Sequence, residues 1–147
     1  MSTDINIERT SQEKMKAFLD HPHLARLATV DPESHQPHVV PVWYLWDGEA
    51  VWISSYRSTR KIKELTRNPK CAVLIDAQES QDGVTAVLFE GQAELVTQPF
   101  DFLQEMTRRI YIRYLGPEGV LAADPQEWIH SPENLLIKVT PGFTRTW

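Results

Sequence analysis

Two β-rich runs, residues 38–46 and 49–55, flank an Asp47-Gly48 pair. Both positions of a two-residue turn favour positive φ, which Asp and Gly tolerate, so the pair predicts a β-hairpin. Other runs extend the pattern. Residues 24–30 alternate, with Leu24, Arg26, Ala28 and Val30 on one strand face and Ala25, Leu27 and Thr29 on the other. Residues 70–76 read as a buried strand, and Val84–Val96 as one long strand in which Gly91 marks a bulge or bend. Residues 135–140 and 143–147 read as the last strands, interrupted by Pro141-Gly142. Turn chemistry over 31–37 and a polar stretch over 77–83 supply connections.

Helices punctuate this β framework. Ser11–Leu19 places Met15, Phe18 and Leu19 at helical spacing, with Thr10 or Ser11 as cap, and His21-Pro22 stops it. Residues 58–67 form a short helix closed by Asn68-Pro69. Residues 100–115 form a longer one, with Leu103, Met106, Ile110 and Tyr114 spaced by three or four and Gly116-Pro117 at its end. Residues 124–130 complete the set. Six to seven antiparallel strands with peripheral helices predict a mainly β fold, a small barrel whose closure would remove exposed edges. Neither an internal repeat nor a linker interrupts the 147 residues, so 1–147 reads as a single domain.

Composition narrows the function classes. A net charge of −5 argues against a dedicated nucleic-acid binder, whose domains carry a basic face. One cysteine excludes an internal disulfide framework and a multi-cysteine zinc site. No apolar run approaches the ~20 residues that span a bilayer, and the acidic start lacks the apolar region of a secretory signal. These features predict a soluble cytoplasmic protein that meets neither membrane nor nucleic acid.

Residues 51–69 (VWISSYRSTRKIKELTRNP) carry the clearest chemistry. A strand runs out through Ser54 and Ser55, and a helix opens at Ser58-Thr59-Arg60-Lys61. A helix's first turn leaves amides unpaired and holds the positive end of the dipole, which favours an anion. Four hydroxyls, from Ser54, Ser55, Ser58 and Thr59, can donate to phosphate oxygens. Arg60 and Lys61 add positive charge where the dipole is already positive, a mismatch that a bound anion resolves. A capped surface helix with its basic residues in water accounts for the same composition.

The order ARLATV, HVVPVWY, an Asp-Gly turn, VWISS and STRKIKELTRNP resembles the pyridoxamine 5′-phosphate oxidase-like flavin-binding split barrels. The resemblance covers about residues 24–96, with weaker echoes in 106–115 and the terminal strand. It implies a six- to seven-stranded antiparallel split β-barrel and a homodimer with the cofactor at its interface. Arg60 and Lys61 match the family's phosphate-binding pair, and Ser54 and Ser55 the polar residues before it. Val39, Val40, Pro41, Val42 and Trp43 match the segment whose backbone lies along the flavin ring. Pro41 independently asks for a strand edge, because it cannot donate to a ladder, although an ordinary edge-strand proline does the same.

The activity implied is an FMN-dependent oxidoreductase, passing hydride or electrons between the flavin and a nicotinamide or a small conjugated substrate. An F420 (deazaflavin)-dependent reductase is the alternative, its polyglutamyl tail meeting Lys63, Arg67 or the Arg108/Arg109/Arg113 group, which can equally be solvated helix faces. A non-catalytic flavin- or haem-binding module is a third. No general acid or base stands out, so no catalytic residue is assigned. The end of the chain carries no recognisable basic motif for a substrate phosphate, which argues against pyridoxine-phosphate oxidation itself.

Remaining candidates divide between site and packing. Trp43 is placed at the pocket, while Trp46 and Trp52 are assigned to the core or an interface. Phe143, Arg145 and Trp147 share one face of the last strand. Trp147 is expected either beside a flavin, in its own or the partner subunit, or in the core. His21, His23, His35 and His38 lack metal-ligand spacing, so no metal is expected. Cys71, in an apolar strand, reads as a small hydrophobe.

Overall fold

In a computed structural model the described residues are 10–147; the N-terminal stretch read above for a secretory signal lies largely outside them. Seven strands form one antiparallel sheet: β1 (Ala25–Val30), β2 (Pro37–Val42), β3 (Leu45–Trp46), β4 (Val51–Tyr56), β5 (Lys70–Gln81), β6 (Val84–Val96) and β7 (Asn134–Thr146). Their order is β2-β1-β5-β6-β7-β4-β3. Four helices accompany them among the described residues: α1 (Ser11–Leu19), α2 (Arg60–Arg67), α3 (Phe100–Gly119) and α4 (Ala123–His130).

The sheet is curled but not closed. β2 and β3 occupy its opposite edges, yet only Trp43 and Tyr44 separate them in sequence. Three residue steps reach at most about 11 Å, so the two edges must come close. They do not pair: β2 bonds to β1 and β3 to β4. The barrel is therefore split, and the closure expected from the strand pattern is not made by hydrogen bonds. The single strand expected over 38–46 is broken for the same reason. Tyr44 leaves the ladder, donating its phenol to the carbonyls of Leu19 (2.8 Å) and His21 (3.1 Å) and its amide to Tyr114 Oη (3.1 Å).

Alternation along the strands sorts two cores. Val51 and Ile53 of β4 and Leu135, Ile137 and Val139 of β7 point into the barrel with Leu27, Val73, Ile75 and Phe89. Trp52 and Leu136 point outward and are covered by Leu103, Met106 and Ile110 of α3. Ser54 shares the Trp52 face, and its Oγ lies 3.0 Å from Thr107 Oγ1 of α3. Trp46 stacks on Phe89 (4.7 Å, 15°), so both tryptophans assigned to packing are packed.

Further departures have local causes. Asp47-Gly48 is not a two-residue turn: only Gly48 has positive φ (99°), and the Asp47 carboxylate accepts from the Glu49 and Ala50 amides within a longer loop. The tight turn with two positive φ values is Asp82-Gly83 (54° and 83°), and β5 runs on to Gln81 through the stretch expected to be a loop. β7 is continuous across Pro141-Gly142, where its register slips against Glu90 and Gly91. Helical geometry breaks at Gly116 (φ 79°) as expected, although Pro117 begins one more turn.

Candidate functional site

α2 begins where β4 ends, at the split. Thr59 holds the N-cap position but does not cap an amide. Its hydroxyl donates to the Tyr56 carbonyl (3.0 Å) and lies 3.1 Å from Ser55 Oγ. No acidic residue occupies the first turn. The amides at this end therefore keep their unneutralised positive field.

Lys61 sits in that field. It is half-buried, and burial holds its ammonium below the usual lysine value. Its Nζ has no hydrogen bond or ion pair among the described residues. A cation partly withdrawn from water without a partner is unfavourable alone, and an anion beside it removes the cost.

Two grooves meet at Lys61. The first, about 340 Å³, lies in the split between Leu24, Pro41, Val42 and Trp43 from the β1–β2 side and Ser54, Ile110 and Tyr111 from β4 and α3. Trp43 is held there by a parallel stack on Tyr114 (4.7 Å, 5°) and an edge contact with Tyr111 (5.4 Å, 87°). The second, about 240 Å³, is bounded by Ser55, Tyr56, Thr59, Trp128 and Asn134. Ser54, Lys61 and Tyr111 line both. A larger cavity of about 670 Å³ follows the β6–β7 bulge and shares no residue with either.

The expected site residues are thus partly gathered. Pro41, Val42, Trp43, Ser54, Ser55 and Lys61 line the grooves. Val39 is exposed on edge strand β2, and Val40 packs against the barrel core; neither lines a groove. Ser58 is exposed in the turn before α2. Trp147 is half-exposed at the end of β7, its backbone paired with Ala86 and its ring under the Arg145 guanidinium (4.8 Å). Its indole is not in the core of its own chain.

Arg60 and Lys61 diverge. Arg60 Nε donates to Glu64 Oε2 (3.1 Å), and Arg60 lines neither groove. Glu64 is almost wholly buried and also accepts from Thr29 Oγ1 (2.7 Å), with His38 Nδ1 at 2.8 Å. Burial alone would raise its pKa, but these hydrogen bonds outweigh it and hold the carboxyl below the usual range.

Two arginines of α3 are also spent separately. Arg108 pairs with Glu105 (2.7 Å). Arg113 donates to the carbonyls of Tyr44 (2.9 Å), Leu19 (3.2 Å), Asp20 (3.2 Å) and His21 (3.1 Å), tying down the end of α1. Burial pushes the Cys71 thiol up to about 11, which keeps it protonated and weakly nucleophilic. Among the described residues no three metal-ligating side chains gather, and no helix is long and apolar enough to cross a membrane.

Sequence reasoning missed Tyr111, Trp128, Tyr56 and Asn134. Tyr111 had a signal: it stands four residues after Thr107 and three before Tyr114, on one helix stripe. Trp128 and Asn134 had none, because their approach depends on how α4 returns the chain to β7.

Comparison with known proteins bears on the family and the fold. The family model described as pyridoxamine 5′-phosphate oxidase matches residues 11–147. No curated protein matches the chain. A conserved hypothetical protein from Mycobacterium tuberculosis is 27% identical with a TM-score of 0.76, over 95% of this chain and 85% of that one. An F420 reductase is 22% identical with a TM-score of 0.71, over 95% and 98%. HutZ, the haem storage protein of Vibrio cholerae, is 17% identical with a TM-score of 0.71, over 95% of each chain, and like the reductase it shows shared fold alone. With a family model spanning all of its described elements, the chain belongs to the pyridoxamine 5′-phosphate oxidase family.

Proposed function

We propose that the chain is an FMN-dependent oxidoreductase that passes hydride or electrons between the flavin and a nicotinamide or small conjugated substrate. The observation that carries this reading is Lys61, a half-buried cation without a partner among the described residues, at the open end of α2 and in the groove lined by Pro41, Val42 and Trp43. The residues fit the group: Lys61, the first-turn amides and Ser54 suit a phosphate, and Pro41, Val42 and Trp43 suit the edge of a flat ring. Bound FMN supplies the redox chemistry. The chain's part is to neutralise the phosphate at Lys61, hold the ring against β2, and exclude water with Trp43 and Tyr111. Arg60 spends only its Nε on Glu64, so its two Nη groups remain as donors for the phosphate from the exposed side of the same helix end.

The likeness to an F420 reductase supports a deazaflavin reading, but a polyglutamyl tail needs free cations near the groove. Arg67 pairs with Glu33 (2.9 Å), Arg108 with Glu105, and Arg113 with main-chain carbonyls, while Lys63 and Arg109, which have no carboxylate partner among the described residues, line neither groove. The likeness to HutZ supports a haem-binding reading, yet no histidine or cysteine lines either groove. FMN therefore leads.

Reconstitution titrations with FMN and F420, followed by absorbance near ~450 nm for FMN, test the reading. A charge-assisted hydrogen bond contributes about 1.5–3 kcal/mol, so Lys61→Ala should weaken FMN binding about ten- to a hundredfold. Unchanged affinity in that variant overturns the phosphate assignment.

A further inference from the structure

We propose that the second groove takes the adenosine half of a dinucleotide that reaches it past Lys61, either as the cofactor itself or beside the flavin phosphate held there; the inference rests on the phosphate reading above. The first groove is accounted for by a flat ring along Pro41, Val42 and Trp43. The second leaves the same lysine in another direction and has a different character. Its walls are aromatic: Tyr56 and Trp128 are each more than a third exposed, and Tyr111 meets Trp128 edge-on (6.0 Å, 89°). The exposed part of the Trp128 indole is a surface on which a planar base can stack.

Its polar groups are neutral. Ser55, Thr59 and Asn134 line it, and Lys61, shared with the first groove, is its one charged lining residue among the described residues. Asn134 Nδ2 is committed to the carbonyls of Trp128 and Ile129, so whatever Asn134 offers a ligand comes from its Oδ1 acceptor. An acceptor beside exposed aromatic rings suits the amino group and π-face of a purine. A polyanionic tail would find no second cation there. Adenosine therefore fits the groove, and two dinucleotides can deliver it: FAD in place of FMN, or a nicotinamide dinucleotide beside bound FMN.

Calorimetric titration with FMN, FAD and, on the FMN-loaded protein, NADH separates these. Base stacking on one aromatic ring changes affinity by roughly tenfold or more. Trp128→Ala should weaken FAD, or NADH over FMN, by about that factor, leave FMN within about twofold, and be largely rescued by Trp128→Phe. An effect on FAD assigns the groove to the cofactor; an effect on NADH alone assigns it to the substrate. If FMN binds through Lys61 but neither dinucleotide responds to Trp128→Ala, the adenosine assignment falls and the phosphate reading stands. If FMN and FAD both ignore Lys61→Ala, the phosphate reading itself falls. Equal losses of FMN and FAD in Trp128→Ala and in Trp128→Phe would mean a packing role and overturn the inference.

Discussion

Glu64 is an acid buried under a helix whose sequence reads as basic, and its surroundings explain why it stays ionised. Thr29 of β1, His38 of β2 and Arg60 of α2 all meet its carboxylate, so one side chain ties the helix to two strands. Hydrogen bonds to a charged group contribute about 1.5–3 kcal/mol, and an unsatisfied donor left behind costs about 1–3 kcal/mol. Glu64→Gln, which keeps shape but not charge, should destabilise the protein by about 1–3 kcal/mol at neutral pH. Because the folded carboxyl has a pKa below its ordinary 4.5, the folded state binds fewer protons in that region. The stabilisation is then fully present above about pH 4.5 and is lost as pH falls through the folded value. Thermal melts between pH 6 and 3 should show a steep acid loss in the parent and a shallower one in Glu64→Gln. Parallel acid limbs would mean that the network adds nothing. The sequence placed Arg60 and Lys61 together because they are adjacent, but neighbours on a helix point about 100° apart, and only the tertiary position of Glu64 decides which one it meets.

At the level of elements, the β6–β7 pairing shows how legible and illegible signals combine. Gly91 announced a bulge, and the bulge is there; Pro141-Gly142 announced a break, and it is the other half of the same bulge. A Cβ on Gly91 would stand 2.2 Å from the Thr140 carbonyl oxygen, closer than atoms can approach. Gly91→Ala must therefore push β6 and β7 apart, and overpacking of this kind costs about 1–3 kcal/mol. A fall in the urea midpoint with no change in ligand affinity is expected, since none of the bulge residues lines the grooves at Lys61. An unchanged midpoint would show that the strands absorb the methyl freely. The strand over 38–46 fails as a single element for a related reason. Its sequence is a continuous β-rich run, and the anchoring of Tyr44 on the end of α1 and on Tyr114 diverts it from one sheet edge to the other. Local pattern reports propensity, whereas the split is a property of how the two edges of the curled sheet meet.

At the scale of the whole molecule, the split barrel leaves apolar surface that a solitary copy has no use for. Val39 on the edge strand, Phe143 and Trp147 on the last strand are each about half exposed or more (59%, 51% and 48%). Trp147 adds a backbone rung to β6, with its amide on the Ala86 carbonyl (2.9 Å) and its carbonyl accepting from Thr85 (2.7 Å). Its indole remains outside the core, so a tryptophan is fixed in place yet half in water. A second copy of the chain is the partner the family resemblance implies, and covering such side chains is what an interface does. Sedimentation at micromolar concentration should therefore give a dimer. Deletion of residues 145–147 removes the indole and only the last rungs of one strand. If Trp147 serves the partner's flavin, the deletion should lower FMN affinity while the melting temperature of the ligand-free protein changes little. A ligand-bound monomer at micromolar concentration, or a truncated dimer that binds FMN as tightly as the parent, would remove Trp147 from the site and leave Lys61 and the split to account for binding alone.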